Sequence, residues 1–429
     1  MFLHAGIVLI IIAVTFAVGT YFKLGIELAM LLSALAAAIY HTGGVPVRHL
    51  VEGAFTYYDV SLIFITATLF INLVKESGGI AFMVRKIIIR FHEHRYLTLL
   101  FLTFVLMIPG ALTGAGAATV LTVGTLVGTV LIYMGISETR TAAIIFLCAS
   151  MSAAAPPINL WAMMAAAGAN MPYVGFMQPL LVITVIGALF TMFFLGAKGE
   201  NPELDKILKE LPVPPEKMNW TRVGTPFLIL IVLIVAGRLF PFKMPILGLP
   251  LMFLISALAM FILSPKKLNI LNIAGKTIRS LIPLVGIMIV VGILIQIMAL
   301  SGARGLISLA VVTLPVWFLF ASLFIILPVS EGLLQYAVAP LLGVPLIFLF
   351  NMKGFNPVII LSAMAVMWPI GDILPPTAVV GRATVIELDY SGRYYKDFLK
   401  TCLIPMAFIL ALCTIFLVFS NQLSFLVGG

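Results

Sequence analysis

Charge, cysteine and histidine are all scarce in this chain: charged residues fill 10% of its 429 positions, and there are three cysteines and five histidines. So little charge beside 62% hydrophobic residues excludes a soluble globular protein, because no water-facing shell could cover that much apolar surface. The mean hydropathy of +1.20 points the same way. Cys148, Cys402 and Cys413 are odd in number and sit in apolar runs, which argues against a disulfide framework and for small buried side chains. His41, His49, His92 and His94 fall in loops or interfacial stretches without ligand spacing, so no transition-metal site is expected. No Gly-x-x-x-x-Gly-Lys-Ser/Thr loop and no nucleophile beside a base is found, which disfavours an ATP-driven pump and an enzyme. The net charge of +9 resides in short loops between apolar runs and reflects membrane topology, not a nucleic-acid partner.

What the chain does have is a series of long apolar segments. The first, Ile7 to Val18, has no basic stretch before it and no small-residue cleavage site after it, so it reads as a retained span. Two later segments are interrupted by the same dipeptide, in Ala154-Ala155-Pro156-Pro157-Ile158-Asn159 and Ile373-Leu374-Pro375-Pro376-Thr377-Ala378. Proline removes a backbone donor and clashes with the preceding turn, so both helices must break there. Broken backbone at membrane depth is tolerated only when buried in protein or lining a wet cavity, and paired breaks point to a transport site.

Two further pairs of segments have arms too short for full crossings, which need about 20 residues. They meet at Pro109-Gly110-Ala111-Leu112-Thr113-Gly114-Ala115-Gly116 and at Pro328-Val329-Ser330-Glu331-Gly332, and read as re-entrant hairpins. Hairpin and break recur at an offset of about 220 residues, as does Ser77-Gly78-Gly79 in Ser301-Gly302-Ala303, which indicates an internal duplication. The expected organisation is a first repeat over 1–197 with hairpin 97–134 and broken helix 141–170, and a polar cytoplasmic linker over 198–222 that includes Glu203. A second repeat over 223–429 carries hairpin 314–350 and broken helix 356–388. Segments 43–56 and 265–280 read as arms lying flat at the interfaces.

Each half then has five crossings, an odd number, so the second half is inverted in the bilayer. The expected fold is an all-α polytopic membrane protein of about 10 transmembrane helices plus two re-entrant hairpins, arranged as an inverted repeat. Lys23, Arg85, Lys86, Arg90, Arg95 and the linker lysines concentrate on one side, which places both termini outside.

Candidate binding residues cluster at tips and breaks. For an ion, carbonyl and hydroxyl oxygens are available at Gly110, Thr113, Gly116, Ser152, Ala155 and Pro156, and in the second half at Ser330, Glu331, Gly371, Asp372, Leu374 and Pro375. For an anionic substrate the candidates are Thr113, Gly114, Asn159, Ser330, Thr377 and Arg382, near half-helix N-termini. Glu331 and Asp372 stand out because an intramembrane carboxylate is costly and by default neutralises a cation or carries a proton. The competing reading is that the small residues serve tight helix packing, that Arg382 pairs with Glu387 or snorkels to the interface, and that Trp161, Trp317 and Trp368 are core or belt aromatics.

The stretch Gly354-Phe355-Asn356-Pro357-Val358, then Ile370-Gly371-Asp372-Ile373-Leu374-Pro375-Pro376, resembles the second-repeat pattern of the large membrane subunit of TRAP (tripartite ATP-independent periplasmic) transporters, the DctM-like proteins. Ser152-Ala153-Ala154-Ala155-Pro156-Pro157 is similar to that family's first break, and the resemblance extends more loosely to the wider ion-transporter superfamily. The resemblance implies an ion-transporter fold of elevator type in the inner membrane, taking up a small organic anion such as a dicarboxylate. Na+ is the implied coupling ion, with H+ as the other possibility and no further cofactor. It also implies a small membrane subunit and a periplasmic substrate-binding protein as partners. Asp372 and Leu374 depart from the family's pattern. A self-sufficient symporter or antiporter of the wider superfamily, needing neither partner, is the alternative.

Overall fold

The computed structural model describes residues 2–201, 204–240, 242–243 and 245–427; Glu203 of the linker lies outside the described residues. In the first half, apolar sequence forms helices α1 (Phe2–Tyr21), α2 (Ile26–Thr42), α3 (Val47–Phe55), α4 (Tyr58–Glu76), α5 (Gly79–Phe91) and α6 (Arg95–Thr113). After α6 come one turn, α7 (Gly116–Thr119), a π-helical turn over Val120–Gly124, α8 (Thr125–Tyr133), α9 (Glu138–Ala154), α10 (Leu160–Gly168) and α11 (Met177–Leu195). The linker contributes α12 (Leu204–Glu210). The second half has α13 (Trp220–Leu239), α14 (Leu249–Leu263), α15 (Ile270–Leu300), α16 (Ala303–Val312), α17 (Val316–Leu334), a second π-helical turn over Ala339–Gly343, α18 (Val344–Met352), α19 (Pro357–Met367), α20 (Val379–Glu387) and α21 (Lys400–Val418).

Among the described residues nine helical stretches are long and apolar enough to cross a membrane, and four more apolar helices are shorter, including α2 and α14. The protein is therefore all-helical and multi-pass. Segment 265–280 is not a separate interfacial arm, since α15 runs unbroken from Ile270 through Pro283 to Leu300. Asn269 starts it by accepting a hydrogen bond from the Asn272 amide at 3.1 Å, and neither Gly275, Gly286 and Gly292 nor Pro283 interrupts it before Ser301.

Burial separates the helices into two kinds. α9 is buried at every position from Thr141 to Ala154 and α19 at every position from Ile359 to Met367, so both are apolar on all sides and form the centre. By contrast only 17% of the apolar windows of α1 and of α13 are buried, which leaves those helices on the periphery.

Element boundaries recur along the chain. α8 begins at Thr125 and α18 at Val344, α9 begins at Glu138 and α19 at Pro357, α10 begins at Leu160 and α20 at Val379. Each pair is 219 positions apart, as between Glu138 and Pro357, and the π-helical turns starting at Val120 and Ala339 keep the same interval. A proline within the helix precedes each tip, at Pro109 and Pro328. Both Pro156-Pro157 and Pro375-Pro376 are cis.

Candidate functional site

At the first break α9 ends on Ala154, and the extended Ala155 leads into the two prolines. The Ile158 amide donates to the Ala111 carbonyl at 3.1 Å, which ties the broken segment to the last turn of α6. Asn159, fully buried, closes the gap from both ends: its Oδ1 accepts from the Ala162 amide at 2.9 Å and its Nδ2 donates to the Ala154 carbonyl at 2.8 Å. A chain of hydrogen bonds runs beside it. The Gly110 amide donates to Thr119 Oγ1 at 2.9 Å, and Ser152 Oγ gives its only proton to the Met107 carbonyl at 2.7 Å. Thr119 must therefore be the donor in the 2.9 Å contact between the two hydroxyls. A methyl on Gly110 would stand 2.8 Å from the Ala153 nitrogen, so glycine is what lets α6 lie against α9 here. Thr113 bonds the Pro109 carbonyl at 2.8 Å, and Gly114, at φ 71°, takes the left-handed turn at the tip. Gly116 lets the tip reach the Ala149 carbonyl and Val380.

The second break is built differently. A 3₁₀ turn over Trp368–Ile373 ends α19, Leu374 is extended, and Thr377 binds the Gly332 carbonyl through both its amide (3.2 Å) and its hydroxyl (2.9 Å). Tyr394 supplies what Asn159 supplies in the first half, donating to the Ile373 carbonyl at 2.9 Å. Arg382 is exposed and donates to the Pro376 carbonyl at 2.9 Å, while Ser330 bonds the Leu327 carbonyl at 2.8 Å. Gly371 packs on Pro328 so closely that a methyl would sit 2.6 Å from that residue's carbonyl carbon. Pro375 and Pro376 are exposed, whereas Pro156 is buried.

Two carboxylates mark this half. Glu331 is fully buried; its Oε2 accepts from Trp161 Nε1 of α10 at 2.8 Å, and its Oε1 has no partner among the described residues. Trp161 stacks on Tyr336, with ring centroids 4.6 Å apart, and the Tyr336 hydroxyl reaches the Gly114 carbonyl at 3.5 Å, so the two tips meet. Asp372 is 3% exposed and accepts no hydrogen bond or ion pair among the described residues.

Asp372 and Tyr336 form the inner end of a cavity of about 660 Å³ between the tips and a wall made by α4 and α15. Of the candidate residues from the sequence, only Asp372 lines it. Gly110, Thr113, Gly114, Gly116, Ser152, Ala155, Pro156 and Asn159 gather around the first break, and Ser330, Gly371, Leu374, Pro375, Thr377 and Arg382 around the second. The residues that sequence reasoning passed over are Thr68, Asn72 and Lys75 on α4, and Lys276 and Ser280 on α15. Their signal was present: polar residues every three or four positions on otherwise apolar helices form one face. A second cavity of about 620 Å³ shares Lys75, Glu76, Leu121, Thr122 and Glu387 with the first and is bounded by Pro212, Val213, Pro214 and Pro215 of the linker.

Broken, buried helices around an internal cavity in a multi-pass helical protein define the class as a membrane transporter. A family model described as DcuC, C4-dicarboxylate anaerobic carrier, matches residues 6–422, and the chain belongs to that family. Two solved structures share the fold. The YdaH transporter of Alcanivorax borkumensis is 15% identical, with 87% of this chain and 88% of that one covered and a TM-score of 0.61. MtrF of Neisseria gonorrhoeae, described as illuminating a class of antimetabolite efflux pumps, is 14% identical, with 87% and 83% covered and a TM-score of 0.58. No curated protein sequence matches the chain.

These findings correct the resemblance to the TRAP large subunit, since the family match runs nearly end to end and belongs elsewhere. The motif that suggested it is short and marks only where a membrane helix must break, which is too little to tell one carrier family from another. The small subunit and the binding protein fall with that assignment. The reading as a transporter and not an enzyme is borne out by the family.

Proposed function

We propose that this chain is a self-sufficient, cation-coupled secondary carrier of C4-dicarboxylates in the cytoplasmic (inner) membrane, with both termini outside. The main support is the family match over residues 6–422, whose description names a C4-dicarboxylate carrier. The geometry supports a coupled mechanism. A dianion cannot cross a low-dielectric interior without compensating charge, and Asp372, which lines the cavity without a partner among the described residues, offers a place for the cation that travels with it. Na+ and H+ are the candidates, and Glu331 lies behind Asp372 as a second acceptor. The constant 219-residue recurrence supports two repeats, and the odd number of crossings expected in each supports their inversion. The hairpins and broken helices then move as one body against the α4 and α15 wall in an elevator step.

Proteoliposomes containing this chain alone test the reading. Succinate uptake stimulated by an imposed Na+ or pH gradient is the expected result. Uptake that is absent, or that requires a second protein, overturns it.

A further inference from the structure

The wall of the cavity opposite Asp372 carries two polar stripes at helical spacing. On α4 these are Thr68, Asn72 and Lys75; on α15, Asn272, Lys276 and Ser280. Asn72 Nδ2 donates to Thr277 Oγ1 at 2.8 Å, and this bond fixes the register of the two helices. Lys75 is one turn beyond Asn72, and Lys276 directly precedes Thr277, so one hydrogen bond holds both lysines on one wall. Neither ammonium has a carboxylate partner among the described residues, although Glu76 and Glu387 line the same cavity. Lys75 Nζ donates instead to the main-chain carbonyl of Leu121, at 2.7 Å, just after the first tip. A neutral carbonyl is a weaker partner for an ammonium than a carboxylate, so the bond is readily exchanged for an anionic ligand.

We propose that Lys75 and Lys276 form a two-ammonium clamp that takes both carboxylates of the cargo and makes the carrier prefer dicarboxylates to monocarboxylates. This rests on the carrier reading above. Without cargo Lys75 rests on Leu121; with cargo it turns to the nearer carboxylate while Lys276 takes the other. The Asn72–Thr277 bond holds the two lysines in register.

Equilibrium binding of radiolabelled succinate and butyrate to the full chain in phosphatidylcholine nanodiscs tests the clamp. The wild type should prefer succinate. Lys75→Gln and Lys276→Gln should each weaken succinate binding about tenfold or more, the usual cost of a lost charged hydrogen bond. Butyrate, with one carboxylate, should lose less, so the preference collapses, and Lys276→Arg should restore it, which a folding defect would not allow. Variants that bind succinate like the wild type overturn the clamp. A wild type that binds both anions equally overturns the clamp and leaves the carrier standing, whereas one that binds neither overturns both. Adding anionic phosphatidylglycerol separates a lipid headgroup from the cargo as the lysines' ligand: unchanged succinate affinity supports the clamp, and steep competition by the lipid overturns it.

Discussion

The two breaks are built on one plan and finished in opposite ways. In the first, Asn159 stands inside the interruption and satisfies both the end of α9 and the start of α10. The second has Ala378 at the equivalent position, in the left-handed conformation at φ 46°, and the turn that ends α19 is served by Tyr394 from outside the break. The first break is closed and buried, and its hydroxyls are engaged with one another; the second exposes both prolines and keeps two carboxylates with unfilled acceptor capacity. On one recurring frame, the first break is thus closed by its own side chains and the second keeps two buried carboxylates.

Four substitutions would break or sharpen that contrast. The largest effect is expected from Asp372→Asn, which removes the charge at the inner end of the cavity. Gradient-driven succinate uptake should fall about tenfold or more, within the usual range of coupling energies, and uptake with an unaltered Na+ and pH profile would remove Asp372 from the coupling. Next is Gly371→Ala, whose methyl would press on the Pro328 main chain. Overpacking of this kind costs about 1–3 kcal/mol, and a lowered melting temperature in detergent is the measurement. Asn159→Ala should cost about 1–2 kcal/mol through the lost cap and the orphaned Ala154 carbonyl, read the same way. The smallest is Tyr394→Phe, about 0.5–1.5 kcal/mol, because one partially buried hydrogen bond goes and the rest of the second break stays. Should Tyr394→Phe destabilise more than Asn159→Ala, the first break is not the more tightly closed of the two.

Much of the helical skeleton was legible because its signals are local. Pro156 and Pro375 announce where a helix must stop, and the helices stop at Ala154 and, after a 3₁₀ turn, at Ile373. An intramembrane aspartate at 372 was conspicuous for the same reason. The cavity wall was not legible, because Asn72 and Thr277 lie 205 positions apart and only the packing of α4 on α15 brings them together. Lys276 was read as part of an interfacial arm and Lys75 was given no role, since a lysine near a helix end reads alike whether it snorkels to headgroups or turns inward. Trp161 was read as a core aromatic, and its ring is indeed buried; what the sequence could not display is that its N–H would find Glu331, 170 positions away. The family itself was misread because a Pro-Pro pair announces a helix break and says little about which family of carriers contains it.

The linker does more than join the halves. Pro212, Pro214 and Pro215 border the outer chamber that opens onto Lys75 and Glu387, and Pro215 packs where a side chain on Gly78 would stand, at the end of α4. Three prolines hold their backbone angles fixed and bring few amide donors, so this rim is stiff and chemically quiet. A rim of this kind holds the second cavity at a fixed width where it borders Lys75 and Glu387, whatever the helices around it do.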